Sequence, residues 1–306
     1  MNKKVIIVGL GIGTLYDTVL RTSKKYTFDI ITVDVDETKN PTYTSIEKCI
    51  LDHPKFDLAI ICTPNYLHEA HAKLLSPISG IVLVEKPGMG SLDIWNKIFR
   101  INNNVFMIKN NMFRKNIKLI RKYIDDNANS ITGIDIRWLN VDRIPNPGSW
   151  FTNKKLAFSG VSSDLLPHLL SLYYSIAGDG NINISTLITA QNYSLDTISD
   201  TAYGTINKDG VYNVDDYCKL DLGGLGGTIP YTLEACWKDE KLKKSKIEIR
   251  IHGAESDIIY KLDLCPEEAY LKMVESFLRG NYSFLDEHHY IDCWIHTCLD
   301  QIREKI

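Results

Sequence analysis

Ile81-Val82-Leu83-Val84-Glu85-Lys86-Pro87-Gly88 is the stretch whose reading decides the fold. Four apolar residues in a row, with no polar alternation, fit a strand buried on both faces, as in a parallel sheet. The charged pair Glu85-Lys86 stands where that strand should end, and Pro87 and Gly88 stop it. In open α/β sheets ligands bind beyond the carboxyl ends of the strands, so Lys86 is placed for chemistry. Alone, it reads more simply as a surface lysine at a strand end. Its neighbours change that.

Working back toward the start, Val5-Ile6-Ile7-Val8 is another buried strand, followed by Gly9-Leu10-Gly11-Ile12-Gly13-Thr14 and a helical run from Leu15 to Ser23. Strand, glycine-rich turn and helix form the context of a dinucleotide fingerprint. Glycines let the backbone approach a pyrophosphate, and the helix N-terminus offers free N–H groups. The spacing departs from G-x-G-x-x-G, because the third glycine would fall on Thr14. Either the loop is one residue short, with Gly13 as the third glycine, or Thr14 takes its place. A second strand, Phe28–Val33, ends in Asp34-Val35-Asp36. An acidic residue there accepts hydrogen bonds from the adenosine ribose and repels a 2′-phosphate, so Asp34, or Asp36 or Glu37 if the strand ends two residues later, favours NAD over NADP. A third strand, Asp57–Cys62, leads into Thr63-Pro64-Asn65 and a helix carrying His68 and His71. These two histidines lack a suitably spaced third ligand, and no metal is expected.

Working forward, Leu92–Arg100 is an amphipathic helix and Val105–Ile108 the last strand. Repeated βα units of this length predict a doubly wound parallel sheet with right-handed crossovers. Beyond it the period changes. Ile134, Ile136 and Trp138 alternate with Asp135, Arg137 and Leu139, and Ile247, Ile249 and Ile251 alternate with Glu248, Arg250 and His252. Strands with one polar face describe an antiparallel sheet buried on one side, linked by turns such as Asn207–Gly210 and Gly223–Gly227. The division expected is a dinucleotide-binding domain over 1–115 and a second α/β domain over 116–306. A helix near 117–124 passes between them.

The chemistry of the second half lies in Ser159–His168. Asp164 reads as a helix N-cap, with Pro167 in the first turn. Asp164 and His168, four apart, share one helix face, where a carboxylate can orient an imidazole for proton transfer.

In order and spacing, four places resemble the Gfo/Idh/MocA family of nicotinamide-dependent sugar and polyol dehydrogenases: Gly9-Leu10-Gly11, Ile61–His68, Glu85-Lys86-Pro87 and Asp164–His168. Asn110-Asn111-Met112-Phe113 is a blurred N-x-R-F, and Gly148-Ser149-Trp150-Phe151 a blurred G-S-W. The resemblance implies a Rossmann domain followed by an α/β domain with a large, open, mostly antiparallel sheet that pairs copies of the chain. It places Gly9, Gly11, Ile12, Gly13, Asp34, Thr63, Asn65, His68, Glu85 and Lys86 around an NAD cofactor, with NADP as the alternative. Lys86, Asp164 and His168 become the catalytic group, and Asn110, Arg143 and Trp150 are assigned to the substrate side. Met112, where the family pattern has arginine, alters those substrate contacts.

The 306 residues carry 35 basic and 38 acidic side chains, a net charge of −3. That balance argues against a nucleic-acid partner. Seven scattered cysteines argue for reduced thiols and against a zinc site. The basic start and short apolar run of Met1–Val8 meet Gly9-Leu10-Gly11 too early for a signal peptide, and no apolar run nears ~20 residues, so a cytoplasmic enzyme with no membrane partner is expected. The expected reaction is hydride transfer between nicotinamide and a hydroxyl or keto carbon of a sugar, polyol or nucleotide-sugar. His168 moves the proton, Asp164 holds the imidazole, and Lys86 donates to the substrate oxygen. A dinucleotide-binding regulator without turnover is the rival, and a reductase of an unsaturated or imine substrate a third reading.

Overall fold

The computed structural model describes residues 1–178, 184–201, 203–223 and 229–305. The chain forms two compact units, Met1–Phe113 with Glu267–Thr297 and Arg114–Pro266 with Cys298–Ile306.

The first unit alternates β1 (Asn2–Val8), α1 (Gly13–Leu20), β2 (Thr27–Val33), α2 (Ile46–Asp52), β3 (Phe56–Ile61), α3 (His68–Leu75), β4 (Ser79–Val84), α4 (Leu92–Asn102) and β5 (Val105–Met107). The five strands pair in the order β2-β1-β3-β4-β5, all parallel. Val5–Ile7, Leu58–Ile61 and Val82–Val84 are wholly inaccessible, which explains why their apolar runs do not alternate. From β1 the chain first builds outward to β2 and then returns to β3 on the other side. The carboxyl ends of β1 and β3 therefore flank the switch point of the sheet, the usual place for a ligand in such folds.

The second unit begins with α5 (Ile117–Asn127) and β6 (Ile131–Leu139), then α6 (Lys154–Ala157), α7 (Val161–Asp164) and α8 (Leu166–Ala177). It continues through β7 (Ile184–Ala190), β8 (Tyr217–Leu222), β9 (Tyr231–Cys236), β10 (Lys246–Gly253) and β11 (Ile258–Leu262). Its sheet runs β11-β10-β6-β9-β8-β7, antiparallel except for the central pair β6/β9. The apolar side chains, Ile134, Ile136, Leu220, Leu233, Ile247 and Ile249 among them, face one way and are buried. The almost wholly buried α8 packs with α5 and against β6 and β9. The expected turn at Gly223–Gly227 lies, beyond Gly223, outside the described residues.

The last helices, α9 (Glu267–Arg279) and α10 (Tyr282–Arg303), correct the expected domain boundary. The break near residue 115 falls at 113/114, but residues 267–297 belong to the first unit. The reason is a stripe on α9: Ala269, Met273, Val274 and Phe277 join Val5, Ile7, Leu58, Ile60 and Leu83 in one buried cluster. Without α9 that face of the parallel sheet would lie open to water.

Candidate functional site

In the first unit the glycines of the loop after β1 differ in what they do. Gly9 has φ +92°, and a Cβ there would stand 2.6 Å from the Cys62 carbonyl oxygen, so only glycine fits. Gly13 opens α1, and its Cβ would lie 3.0 Å from Ile7 Cγ2, so its bareness lets the helix lie close on β1. The packing role of a third glycine thus falls one residue early, to Gly13. Thr14 turns its hydroxyl back to the Gly11 carbonyl at 2.9 Å. Gly11 meets nothing within 4 Å of a built Cβ. The protein's own packing makes no demand for a glycine there, whereas a bare backbone suits the close approach of a pyrophosphate. Ile12 stands exposed between the two.

Asp34 follows the last residue of β2 and is 8% exposed. Its carboxylate accepts from the N–H groups of Leu10 (2.6 Å) and Asp36 (2.9 Å) and from Lys39 Nζ (3.0 Å). Burial pushes its pKa up, but those N–H bonds and the ammonium outweigh it, and the carboxyl titrates below its ordinary range. The acid is therefore tied to the glycine loop.

At the ends of β3 and β4 the sequence expectations need correction. His68 is fully buried, with Nδ1 2.7 Å from the Gly88 carbonyl and Nε2 2.9 Å from that of Thr63. Burial pulls its pKa down to about 4 despite the two carbonyls, so the neutral ring donates to one of them. With the ring enclosed, His68 serves as a pin between two turns and has no face to offer a cofactor. Glu85 is likewise turned inward, accepting from Tyr16 of α1 at 2.9 Å. Burial, with Glu85 beside it, raises the Tyr16 pKa well above its usual value. Thr63 Oγ1 lies 3.0 Å from His71 Nδ1, and Asn65 is buried in the next turn. Lys86 is half-buried, and its peptide bond to Pro87 is cis. Gly88, at φ +78°, closes this turn where a Cβ would meet the His296 ring at 2.6 Å. His296 in turn accepts from Met89 N at 3.1 Å. Asn110 follows β5, is 2% exposed, and its Oδ1 has no hydrogen-bond partner among the described residues.

In the second unit one topological fact assembles the site. Because β6 and β9 run parallel, with Trp138 beside Ala235 and Leu139 beside Cys236, the residues beyond both strands gather at one edge of the sheet. Trp138, Asn140, Asp142, Arg143, Tyr203, Ser245 and Leu264 line a cavity there of about 210 Å³. The Arg143 guanidinium lies 4.6 Å above the Tyr203 ring and 3.9 Å from the Asp164 carboxylate. Trp237 Nε1 donates to the same Asp164 oxygen at 2.8 Å. Trp138, which lines the cavity, also packs on the His168 ring, with centroids 5.2 Å apart. Trp138 Nε1 and Asp142 Oδ1 of the lining are buried without a hydrogen-bond partner among the described residues.

The expected N-cap role of Asp164 is not found. Asp164 ends α7, Leu165 is helical too, and α8 begins at Leu166 without a side-chain cap. The chain stays nearly helical through this point and never takes the extended geometry a cap requires. What fixes the segment is Asp215, whose carboxylate accepts from Ser159 Oγ (2.5 Å), Gly160 N (2.8 Å) and Ser162 N (2.8 Å). A Cβ on Gly160 would come 1.8 Å from the Asp215 carbonyl oxygen. Trp150 is not part of the cavity wall; its ring is stacked on Phe151 at 3.8 Å. Trp138, Tyr203, Asp142 and Trp237 escaped the sequence reading. Trp138 in particular keeps the phase of its buried neighbours and reads as core.

Residues 3–104 match the family model described as the GFO_IDH_MocA oxidoreductase family, NAD-binding Rossmann fold. The matched residues are the first third of the chain. A levoglucosan dehydrogenase of Pseudarthrobacter phenanthrenivorans is 27% identical over 235 residues, 72% of this chain and 59% of that protein. The match therefore spans less than two thirds of that relative. Among solved structures, a levoglucosan dehydrogenase in complex with NADH and levoglucosan superposes with a TM-score of 0.75 at 17% identity, covering 100% of this chain and 98% of the other. A myo-inositol dehydrogenase from Corynebacterium glutamicum gives 0.72 at 12% identity, covering 100% and 97%. At such identities the structures show a shared fold. The residues that match the NAD-binding Rossmann model include Gly9, Gly11 and Asp34.

Proposed function

We propose that this chain transfers a hydride between a nicotinamide cofactor and a hydroxyl or keto carbon of a small sugar or polyol. The observation that carries the reading is that Trp138 joins His168 to a polar cavity. That cavity holds an indole N–H, a carboxylate oxygen and a guanidinium. Hydroxyl groups both donate and accept, so a polyhydroxylated ring can satisfy such a mixture where an apolar ligand cannot. About 210 Å³ is room for roughly seven waters at ~30 Å³ each, the scale of one sugar ring. The relative of the same fold that binds NADH and levoglucosan supports the substrate class.

In the oxidation direction His168 takes the proton of the reacting hydroxyl, a task suited to an imidazole, which ordinarily titrates near neutrality. Lys86, in the first unit, is the donor that would offset negative charge growing in the reaction. Asp164 acts on the cavity wall by holding Trp237 and Arg143 in place. The nicotinamide, when bound, takes or returns the hydride. Reduction runs the same groups backward.

The test is a panel of neutral sugars and cyclic polyols with NAD, followed at the absorbance of the reduced nicotinamide. Turnover is expected for at least one of them. His168→Ala and Lys86→Ala should each lower kcat by about 10²-fold or more. NADH binding should stay within about threefold in both. NADH binding without turnover of any member would favour the regulator over the enzyme.

A further inference from the structure

The acid expected to favour NAD over NADP does not stand alone. A carboxylate offers about four acceptor sites, and three of those on Asp34 are already taken. Leu10 N and Lys39 Nζ share Oδ2, and Asp36 N takes Oδ1. Two of these are backbone bonds that hold the acid to the glycine loop and to its own turn. The third comes from a side chain, and that side chain is itself well placed. Lys39 ends the short helical turn Glu37–Lys39, whose first residue is preceded by Asp36 as cap, its Oδ1 accepting from Thr38 N at 3.0 Å and from the Thr38 hydroxyl at 2.6 Å. Asn40, in the left-handed region at φ +52°, closes the turn. Lys39 therefore reaches back to Asp34 from a defined turn.

We propose that Lys39 sets the choice between NAD(H) and NADP(H). Seated on Asp34, its ammonium cancels the charge that would repel a 2′-phosphate. At 39% side-chain exposure it also remains open to bind that phosphate itself. The bare ribose diol of NAD(H) has only one acceptor site of Asp34 left unless Lys39 moves aside. Both effects narrow the preference for NAD(H) that an isolated aspartate would give. The inference rests on the assignment of this loop to the adenosine end of the cofactor.

Fluorescence titration of the full chain with NADH and NADPH tests it. The wild type should bind the two within about tenfold of each other, and added salt should weaken NADPH more than NADH. Lys39→Met removes the charge and keeps the apolar stem. It should raise the NADPH dissociation constant by about tenfold or more and leave that of NADH within about threefold. Asp34→Asn, with Lys39 kept, should shift the ratio the other way. An NADPH-to-NADH ratio that Lys39→Met leaves unchanged would overturn the inference while the cofactor assignment stood. A wild-type chain that binds neither dinucleotide would overturn the assignment itself.

Discussion

Gly9 and Gly11 stand two residues apart and differ in their surroundings: a Cβ on Gly9 would meet the Cys62 carbonyl, and one on Gly11 meets nothing within 4 Å. Gly9→Ala would drive a Cβ against the Cys62 carbonyl from a backbone conformation that L residues rarely adopt. It should lower the melting temperature strongly. Gly11→Ala meets open space and should melt like the wild type, yet weaken NADH by about tenfold, because the added methyl lies where a pyrophosphate would approach. Differential scanning fluorimetry beside NADH titration separates the two. In the second unit Trp237→Phe keeps the aromatic ring but removes the indole N–H from the half-enclosed Asp164 carboxylate. It should cost about 1–3 kcal/mol in urea unfolding. At this scale a motif in the sequence offers a candidate by name, as with Lys86, Asp164 and His168. The sequence was unreadable where a residue's role depends on which strand lies beside it. Nothing in the alternation of Ile134, Ile136 and Trp138 says that β6 pairs in parallel with a strand nearly a hundred positions on.

Elements in this chain are joined by buried charge as well as by apolar stripes. Lys109, just past β5, and Asp292 on α10 form a salt bridge with both side chains fully enclosed, and Asp292 also accepts from Met107 N at 3.1 Å. Burial pushes the Asp292 carboxyl up to about 6, although the Lys109 ammonium pulls it down. Asp292→Asn would leave a buried ammonium without its counter-charge and should cost about 3–5 kcal/mol. The double change Lys109→Met with Asp292→Leu should cost much less, a comparison that chemical unfolding makes directly. A second link, on the polar face of the second sheet, is pH-dependent. His252 lies 3.0 Å from Asp135 and 3.1 Å from Asp257. Burial lowers its pKa, but these carboxylates outweigh that and raise it. A raised histidine stabilises the fold fully below its unfolded pKa, and the contribution fades as pH climbs through the folded one. The melting temperature of His252→Gln should therefore fall further below wild type at pH 5.5 than at pH 8.5. Neither link was legible in advance, since Lys109 and Asp292 carry no periodic signal that would pair them.

On the scale of the whole molecule, the two sheets declared themselves by period: unbroken apolar runs for the parallel one, alternation for the other. The return of residues 267–297 to the first unit did not. An apolar stripe on α9 announces a covered face without saying which sheet it covers. The polar face of the second sheet carries a cross-strand row of Lys219, Glu234, Arg137, Glu248 and Lys261 in register. The proposed pairing of copies through this sheet would then join charged surfaces. Sedimentation should show association at low salt that weakens toward ~0.5 M, where screening shortens to a few ångströms. The central claim is that the cofactor of the Rossmann unit exchanges hydride with a polyol carbon whose hydroxyl proton His168 removes. A polyol deuterated at the reacting carbon tests it most directly. The account predicts deuterium in the nicotinamide by mass spectrometry with wild-type protein, and its loss in His168→Ala while NADH still binds. Undiminished label transfer in His168→Ala, or none from any polyol to a chain that binds NADH, would contradict it.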